Sequence, residues 1–486
     1  MKIAAKLERL LIVLITCGLL GQATTLWGES SADQLNRGGR KPRDARPLPQ
    51  KSQVVAGDIL VKYRMPPLTR PLTEKMLSAR SQELKDKGVH LAQKYGARPA
   101  ATYPALGIQL LKVPPALVSQ TIAKLRQNDF VARASLNYKI YPLYTQPPND
   151  ELWANGTLWG IEKIGMKKIW DTGFIPGDVI IAVLDTGIDY SHPDLVDHMW
   201  INPNLGITDH IHGARYCDGV EGGNPKDNDG HGTWVAGIIG AQGDNWTTGE
   251  TGKSVVGIAW KSKTQVMALN VLCNTGAPSG TVADAIGGMD YALRKNAVVL
   301  NNSWAIVGDD VLLEDIEVLE AAVGELNAHN ILFVASAGNT SRDNDGYAHY
   351  PSNLTLENVI AVAASTENDE LWIGSNWGRF TVHLAAPGHL ITSTYPGGNT
   401  DLANGTSASA PHVAGCAGLL QAKRVAAGLP LLRPIELKNV LMNSGDALNP
   451  LAGSVDLSAR SDGLRRLNCF KAMEGPPAAP TNLRVQ

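Results

Sequence analysis

Two rhythms of apolar and polar positions divide the chain. Over 54–145, Asp58–Arg64 (DILVKYR) alternates as a strand, and Leu72–Tyr95 has helical spacing and strong helix formers. Gly107–Val113 (GIQLLKV) predicts a second strand, Ala116–Leu125 a second helix and Ala132–Tyr144 a last extended piece. From about residue 150 the pattern changes. Val179–Leu184 (VIIAVL) is a near-continuous apolar run, as expected of a strand buried on both faces. Further strands are predicted at Thr264–Leu272, Ala297–Leu300, Ile331–Ala335, Val359–Ala363 and Phe380–Leu384. Helices fall between them at His231–Gly240, Thr281–Lys295, Val311–His329 and Ser407–Val425. Strands alternating with helices imply an α/β fold, a parallel sheet with helices on both faces. Sites in such sheets form beyond the carboxyl ends of strands, where Asp185 and Asn339 fall.

The beginning of the chain belongs to neither rhythm. Lys2, Lys6 and Arg9 precede an uncharged apolar run, Leu10–Leu20, and Gly21-Gln22-Ala23 supplies small residues for cleavage. The run is short for a membrane span, so residues 1–23 read as a secretory signal peptide, with an uncleaved anchor as the rival. The residues before Cys17 do not suit a lipidation site. Residues 24–53 are polar, basic and rich in Gly and Pro, the composition of a disordered spacer. Composition is otherwise that of a globular protein, 44% hydrophobic and 19% charged over 486 residues, but charge is unevenly placed. Residues 54–145 hold 14 Lys/Arg and 5 Asp/Glu, whereas 146–486 hold 21 and 37. A basic segment seated on an acidic one is the arrangement this contrast favours over two merely soluble domains.

Three short strings carry the chemistry: DTGID at 185–189, DGHGTWVAG at 229–237 and GTSASAPHVAG at 405–415. They supply Asp185, His231 and Ser407. A serine hydroxyl is a poor nucleophile until a base takes its proton, and that base needs a carboxylate to hold its tautomer and stabilise its cation. Asp185 ends an apolar strand, where an acid is costly unless paired. His231 opens a helix of small residues able to pack closely on the sheet. Ser407 opens another helix, near backbone N–H groups left without intrahelical partners. The order Asp, His, Ser with Gly-Thr-Ser at the nucleophile resembles the subtilisin-like serine proteases, the subtilases, over roughly residues 50–474.

That resemblance implies a catalytic domain at 146–474, with Asp185, His231 and Ser407 as its triad. Asn339, closing VASAGN, is implied as an oxyanion-hole donor together with the Ser407 backbone N–H. Ser303, Trp304 and Ala305 match the segment that pairs with the substrate backbone, where an extended peptide adds as a strand. The first specificity pocket is expected between 303–305 and 335–338, including Ala337 and Gly338. Its small uncharged walls suit bulky apolar side chains. Residues 54–145 resemble the subtilase propeptide, a small α+β ferredoxin-like domain that assists folding and then inhibits; a structural accessory domain is the alternative. Self-cleavage is expected between about Tyr141 and Asp150, just before Leu158–Trp170, which resembles a mature N-terminus. Leu464–Met473 resembles the segment closing such domains, and 475–486 reads as a proline-rich linker and the start of a fibronectin-type module.

The chain departs from the family pattern in places. Trp234 stands where relatives often have His, Ala408-Ser409 where many have Met-Ala, and Ala305 where Gly is usual. Ser409 and His412 are expected to be structural, Asp189 a turn residue, and Asp227 and Asp229 loop acids around the site. Asp194, in SHPDL, matches a family calcium ligand, although the partner loop 241–256 departs in length. The chemistry itself requires no cofactor, and structural Ca²⁺ is the one candidate ion.

Removal of Cys17 leaves Cys217, Cys273, Cys416 and Cys469, which allow three complete pairings. Cys217–Cys273 is the expected pair, and Cys416, in the small-residue helix, is expected as a buried free thiol. Glycosylation sequons at Asn301, Asn339 and Asn404 lie in the expected active site, so the sequon set gives no evidence of glycans. An α/β-hydrolase is excluded by residue order, and a sedolisin by His231. The reading is a secreted, extracellular or periplasmic, self-processing serine endopeptidase. Its partners would be protein or peptide substrates and its own propeptide, with no nucleic acid, and it would act as a monomer. An inactive subtilase-like scaffold is the alternative.

Overall fold

The computed structural model describes residues 54–68, 71–142, 158–203, 210–227, 229–243, 255–273, 278–308, 310–448 and 464–475. The expected signal peptide and spacer, 476–486 and the expected cleavage segment beyond 142 lie outside them. All described residues belong to one compact unit, Asp44–Gln486. Among them, no helix is long and apolar enough to cross a membrane.

The first part builds a sheet from β1 (Val54–Tyr63), β2 (Arg98–Tyr103), β3 (Ile108–Lys112) and β4 (Val131–Pro142), in the antiparallel order β4-β1-β3-β2. Helices α1 (Glu74–Tyr95) and α2 (Val118–Arg126) alternate with the strands. Thr73 caps α1 by accepting from Met76 N, and Gly96 ends it at φ 66°, where a Cβ would be strained. Leu77, Leu84 and Leu91 recur every two turns and bury one stripe of α1. The strand at Arg98–Tyr103 was not predicted. It contains Pro99, alternates poorly and lies at the sheet edge, where a missing N–H costs little.

Alternation along β1 sends its residues into two cores. Ile59, Val61 and Tyr63 pack with Leu84, Leu91, Ile122 and Leu125, whereas Leu60 faces a second cluster with Leu110, Tyr138, Ile286 and Leu319. The sheet therefore has helices of its own on one face and helices of the second part on the other.

The second part centres on β5 (Ile175–Asp185), β6 (Gly213–Cys217), β8 (Ser262–Asn270), β10 (Val299–Asn302), β12 (Leu332–Ser336), β13 (Val359–Ser365) and β14 (Leu384–Pro387). These run parallel in the order β14-β13-β12-β10-β5-β8-β6. The edges carry β7 (Val220–Gly222), β17 (Asp446–Ala447) and β18 (Arg465–Arg466). Short β9 (Gly280–Thr281) and β11 (Trp304–Ala305) join the first sheet instead, and β15 (Ile391–Tyr395) and β16 (Asn399–Ala403) form a separate hairpin. The helices are α3 (Trp159–Lys163), α4 (Met166–Asp171), α5 (His231–Gly240), α6 (Val282–Arg294), α7 (Glu317–Ala328), α8 (Thr406–Ala426), α9 (Pro434–Asn443) and α10 (Cys469–Glu474).

The apolar run in β5 is buried on both sides. Val179, Ile181 and Val183 meet residues of α5 and α8, while Ala182 and Leu184 meet α6 and α7. Two predicted boundaries move. The expected strand at 380–384 begins only at Leu384, with Phe380 exposed, and the helix expected from Val311 begins at Glu317 after a 3-10 turn at Leu313–Asp315.

Disulfides join Cys217 to Cys273 and Cys416 to Cys469, with Cα separations of 5.9 and 5.7 Å. The expectation of a free thiol at Cys416 is corrected. Helix α10 folds back over α8 and α4 and presents Cys469 to it, a tertiary contact that helical periodicity does not reveal.

Candidate active site

The acid and the histidine meet where β5 ends and α5 begins. Asp185 Oδ1 lies 2.6 Å from His231 Nδ1, and both side chains are fully buried. The same oxygen accepts Thr186 N at 2.7 Å. A carboxylate on Nδ1 places the ring proton there and leaves Nε2 to act as a base. Burial alone would lower the His231 pKa, but the charge and hydrogen bond of Asp185, with Asp229 and Asp227 behind, raise it above the ordinary imidazole value.

Asp227 fixes this junction. Its Oδ1 accepts Thr186 Oγ1, Asp229 N and Gly230 N, and its Oδ2 accepts Thr233 N and Thr233 Oγ1, all within 2.6–3.0 Å. Thr186 Oγ1 in turn accepts Gly232 N. Burial pushes the Asp227 carboxyl up to about 6, against the pull of those donors. The turn after Asp185 and the start of α5 are thus bound to one side chain. Trp234, the departure from the family pattern, is buried beside His231 with ring centroids 6.3 Å apart, and its Nε1 donates to Asp401 O in β16.

Ser407 is the second residue of α8 and is buried. Its Oγ lies 3.4 Å from Ser303 O, and Ser303 Oγ donates to Ser407 O at 3.1 Å. The residue before it organises the next part of the site. Thr406 N and Thr406 Oγ1 both donate to Asn339 Oδ1 at 2.9 Å, so the amide can turn only its N–H₂ toward the cleft. Asn339 Nδ2 is buried with no protein partner among the described residues. A buried unpaired donor beside a helix N-terminus is suited to receive an oxyanion. Thr406 Oγ1 also accepts Gly338 N at 3.1 Å, and Ala337 N donates to Val362 O. Ser409 Oγ turns away to Ala386 O, and His412 Nδ1 to Ala408 O, with burial pushing the His412 pKa down to about 4.

The end of β4 lies between two strands of the second part. Ala305 and Trp304 pair antiparallel with Tyr141 and Pro142, while Thr281 and Gly280 pair with Lys139 and Ile140. Upstream on β4, Asn137 Oδ1 accepts Ala283 N at the start of α6, and Ser135 Oγ accepts Val318 N at the start of α7. Ion pairs reinforce the contact, Lys62 with Glu325 at 3.1 Å and Arg126 with Glu317 at 2.9 Å. This is the seating that the charge contrast favoured.

The structure therefore gathers Asp185 with His231, and Ser407 with Asn339, Gly338 and Ser303. Sequence reading passed over Thr406, though it adjoins Ser407 in GTS. It also passed over Gly280–Thr281, two residues with no pattern of their own. Asp194 Oδ2 accepts Val255 N at 2.9 Å, and among the described residues no three His, Cys, Asp or Glu gather as they would around an ion. Residues 244–254 of the partner loop lie outside the described residues.

Comparison with known proteins agrees with this geometry. The pattern of the Subtilase family matches residues 177–461. Thermitase of Thermoactinomyces vulgaris is 31% identical over 328 residues, covering 67% of this chain and 99% of thermitase. The thermophilic serine proteinase of Bacillus sp. strain AK1 is 33% identical over 303 residues, covering 62% of this chain and 66% of that one. Subtilisin-like protease 2 of Plasmodium falciparum is 31% identical over 268 residues, and the match spans only 19% of its length. The crystal structure of fervidolysin from Fervidobacterium pennivorans, a keratinolytic enzyme related to subtilisin, has the same fold, with a TM-score of 0.62 at 23% identity over 89% of this chain and 63% of that one. With its family pattern spanning more than half its length and its acid, histidine and serine on the strand and helix ends of one parallel sheet, the chain belongs to the subtilase family.

Proposed function

We propose that the protein is a secreted serine endopeptidase, made as a zymogen that cuts itself. Ser407 is the nucleophile, His231 the base that takes its proton and returns it to the leaving amine, and Asp185 the carboxylate that holds the ring. Ser407 Oγ attacks the scissile carbonyl, the C–N bond breaks as His231 protonates the nitrogen, and water releases the acyl group by the same route in reverse. Asn339 Nδ2 and the Ser407 N–H hold the developing oxyanion. No step passes through a metal. The observation that carries the reading is the orphaned amide of Asn339, whose oxygen is held by Thr406, the residue before Ser407.

Residues 54–142 act as the inhibitory propeptide. The seat of β4 between β9 and β11 supports this: a strand lying there occupies the edge that a substrate would add to. Cleavage past Pro142 would leave that strand in place, which explains inhibition after cutting.

The test uses the Ser407→Ala variant. Wild type should react with a fluorophosphonate, hydrolyse peptides and appear as two pieces. Ser407→Ala should lose labelling, lose about 10⁶-fold in turnover and remain uncut. Turnover at the wild-type rate, or normal cutting in a host without other proteases, would overturn the assignment.

A further inference from the structure

His349 stands beside Gly338, a residue of the expected specificity slot. The next residue, Tyr350, bridges to Ile306 and accepts its N–H at 2.9 Å, continuing the wall formed by Trp304–Ala305. The His349 ring itself packs on the opposite wall. A Cβ built on Gly338, the residue before Asn339, would stand 2.8 Å from His349 Nε2. Gly338 has φ 114°, which disfavours any side chain, so Gly338 itself places none against the ring.

The hydrogen bonds around the ring fix its tautomer. Ser352 Oγ donates its single hydrogen to His349 O at 2.7 Å, and the same oxygen lies 3.0 Å from His349 Nδ1. With the hydroxyl proton spent, that second contact requires the ring proton on Nδ1. Nε2 is then a bare lone pair, and it makes no hydrogen bond among the described residues. Burial pushes the His349 pKa down to about 4, which keeps the ring neutral in the pH range where His231 can work. Asn376, the other polar side chain against Gly338, makes four hydrogen bonds to residues other than His349. Its Nδ2 donates to Asn344 Oδ1, and its Oδ1 accepts Thr340 N, Thr340 Oγ1 and Arg342 N.

We propose that His349 is a specificity-determining residue whose Nε2 accepts a hydrogen bond from the side chain on the acyl side of the scissile bond, selecting neutral donors such as the Gln amide over Met and Glu. This rests on the protease reading above. A Met side chain of equal length would cover the lone pair without replacing the water it displaces, and a Glu carboxylate would meet it acceptor to acceptor. The apolar preference expected from the small walls alone is thereby revised.

The experiment measures kcat/KM of the mature enzyme at neutral pH on three peptides identical except for Gln, Met or Glu at that position. Gln is expected to exceed Met by about tenfold and Glu by more. His349→Leu should reverse the order of Gln and Met while retaining fluorophosphonate labelling of Ser407. Should that variant fail to fold, the wild-type series decides alone. Met or Glu cleaved as well as Gln by wild type, with labelling intact, overturns the proposal and leaves the protease reading standing. No cleavage of any peptide and no labelling of Ser407 overturns both.

Discussion

The two sheets of this molecule are both covered on both faces, but by different means. In 158–475 the parallel sheet is enclosed by helices of its own part, α5 and α8 on one side and α6 and α7 on the other. In 54–142 the antiparallel sheet has α1 and α2 on one face only, and its other face shares a core with α6 and α7. The first arrangement covers both faces of its sheet with helices of its own, although the outer side of α6 and α7 shares a core with the smaller part. The second leaves Leu60, Ile108, Leu110 and Tyr138 in water if the larger part is removed. The larger part should therefore hold chemistry and its own stability, and the smaller part should hold the association.

The sharpest way to break this division is at Asp185. Asp185→Asn should lower kcat by about 10⁴, because the amide no longer enforces the proton on Nδ1. The pH profile supplies an independent check. The proposed mechanism requires neutral His231, whose pKa is raised by Asp185 against the lowering effect of burial, so the acid limb should lie above the ordinary imidazole value near 6.5. Without the Asp185 charge that limb should move to lower pH. In stability the sign is opposite: the raised pKa contributes stability that is complete below the unfolded value and is lost as pH rises through the folded one. A limb that does not move would detach His231 from Asp185.

Next in size is the tie between α8 and α10. The Cys416–Cys469 bridge closes a 53-residue separation, which loop-closure entropy values at about 4 kcal/mol. Replacing both residues with Ala should lower the urea midpoint of the mature enzyme accordingly. Little or no change would show that the larger part does not depend on its C-terminal helix. The smallest effect is expected at the association itself. Asn137→Ala removes the cap on Ala283 N and the bond to Asp58, and should cost the uncut Ser407→Ala chain about 1–2 kcal/mol. The mature enzyme, having shed residues 54–142, should unfold as before. An equal loss in the mature enzyme would erase the distinction between the two parts.

What could be read in advance followed from period and motif. Helix α1 was legible because its leucines repeat on one stripe, β5 because its apolar run has no polar interruption, and the Asp185–His231 pair because the strings that carry it kept their order. Arg98–Tyr103 was not legible, since an edge strand needs neither alternation nor a donor at every residue. Nor was the β15–β16 hairpin, where Ile391–Tyr395 alternates weakly and Gly397-Gly398 alone marks a turn. Cys416 was misread because a small-residue helix signals close packing and says nothing of which partner packs.

The sequence by itself determined the class of fold, the proposed acid, base and nucleophile, and a basic segment matched to an acidic one, because each is written in local order, period or charge. Tertiary structure alone decided that Thr406 turns the Asn339 amide, that Asn137 and Ser135 cap helices of the other part, and that His349 presents a bare nitrogen beside Gly338. Those contacts join residues 11 positions apart for Gly338 and His349 and 67 to 183 apart for the others. Hydrogen-bond direction depends on where both partners finish, and no pattern along the chain encodes that.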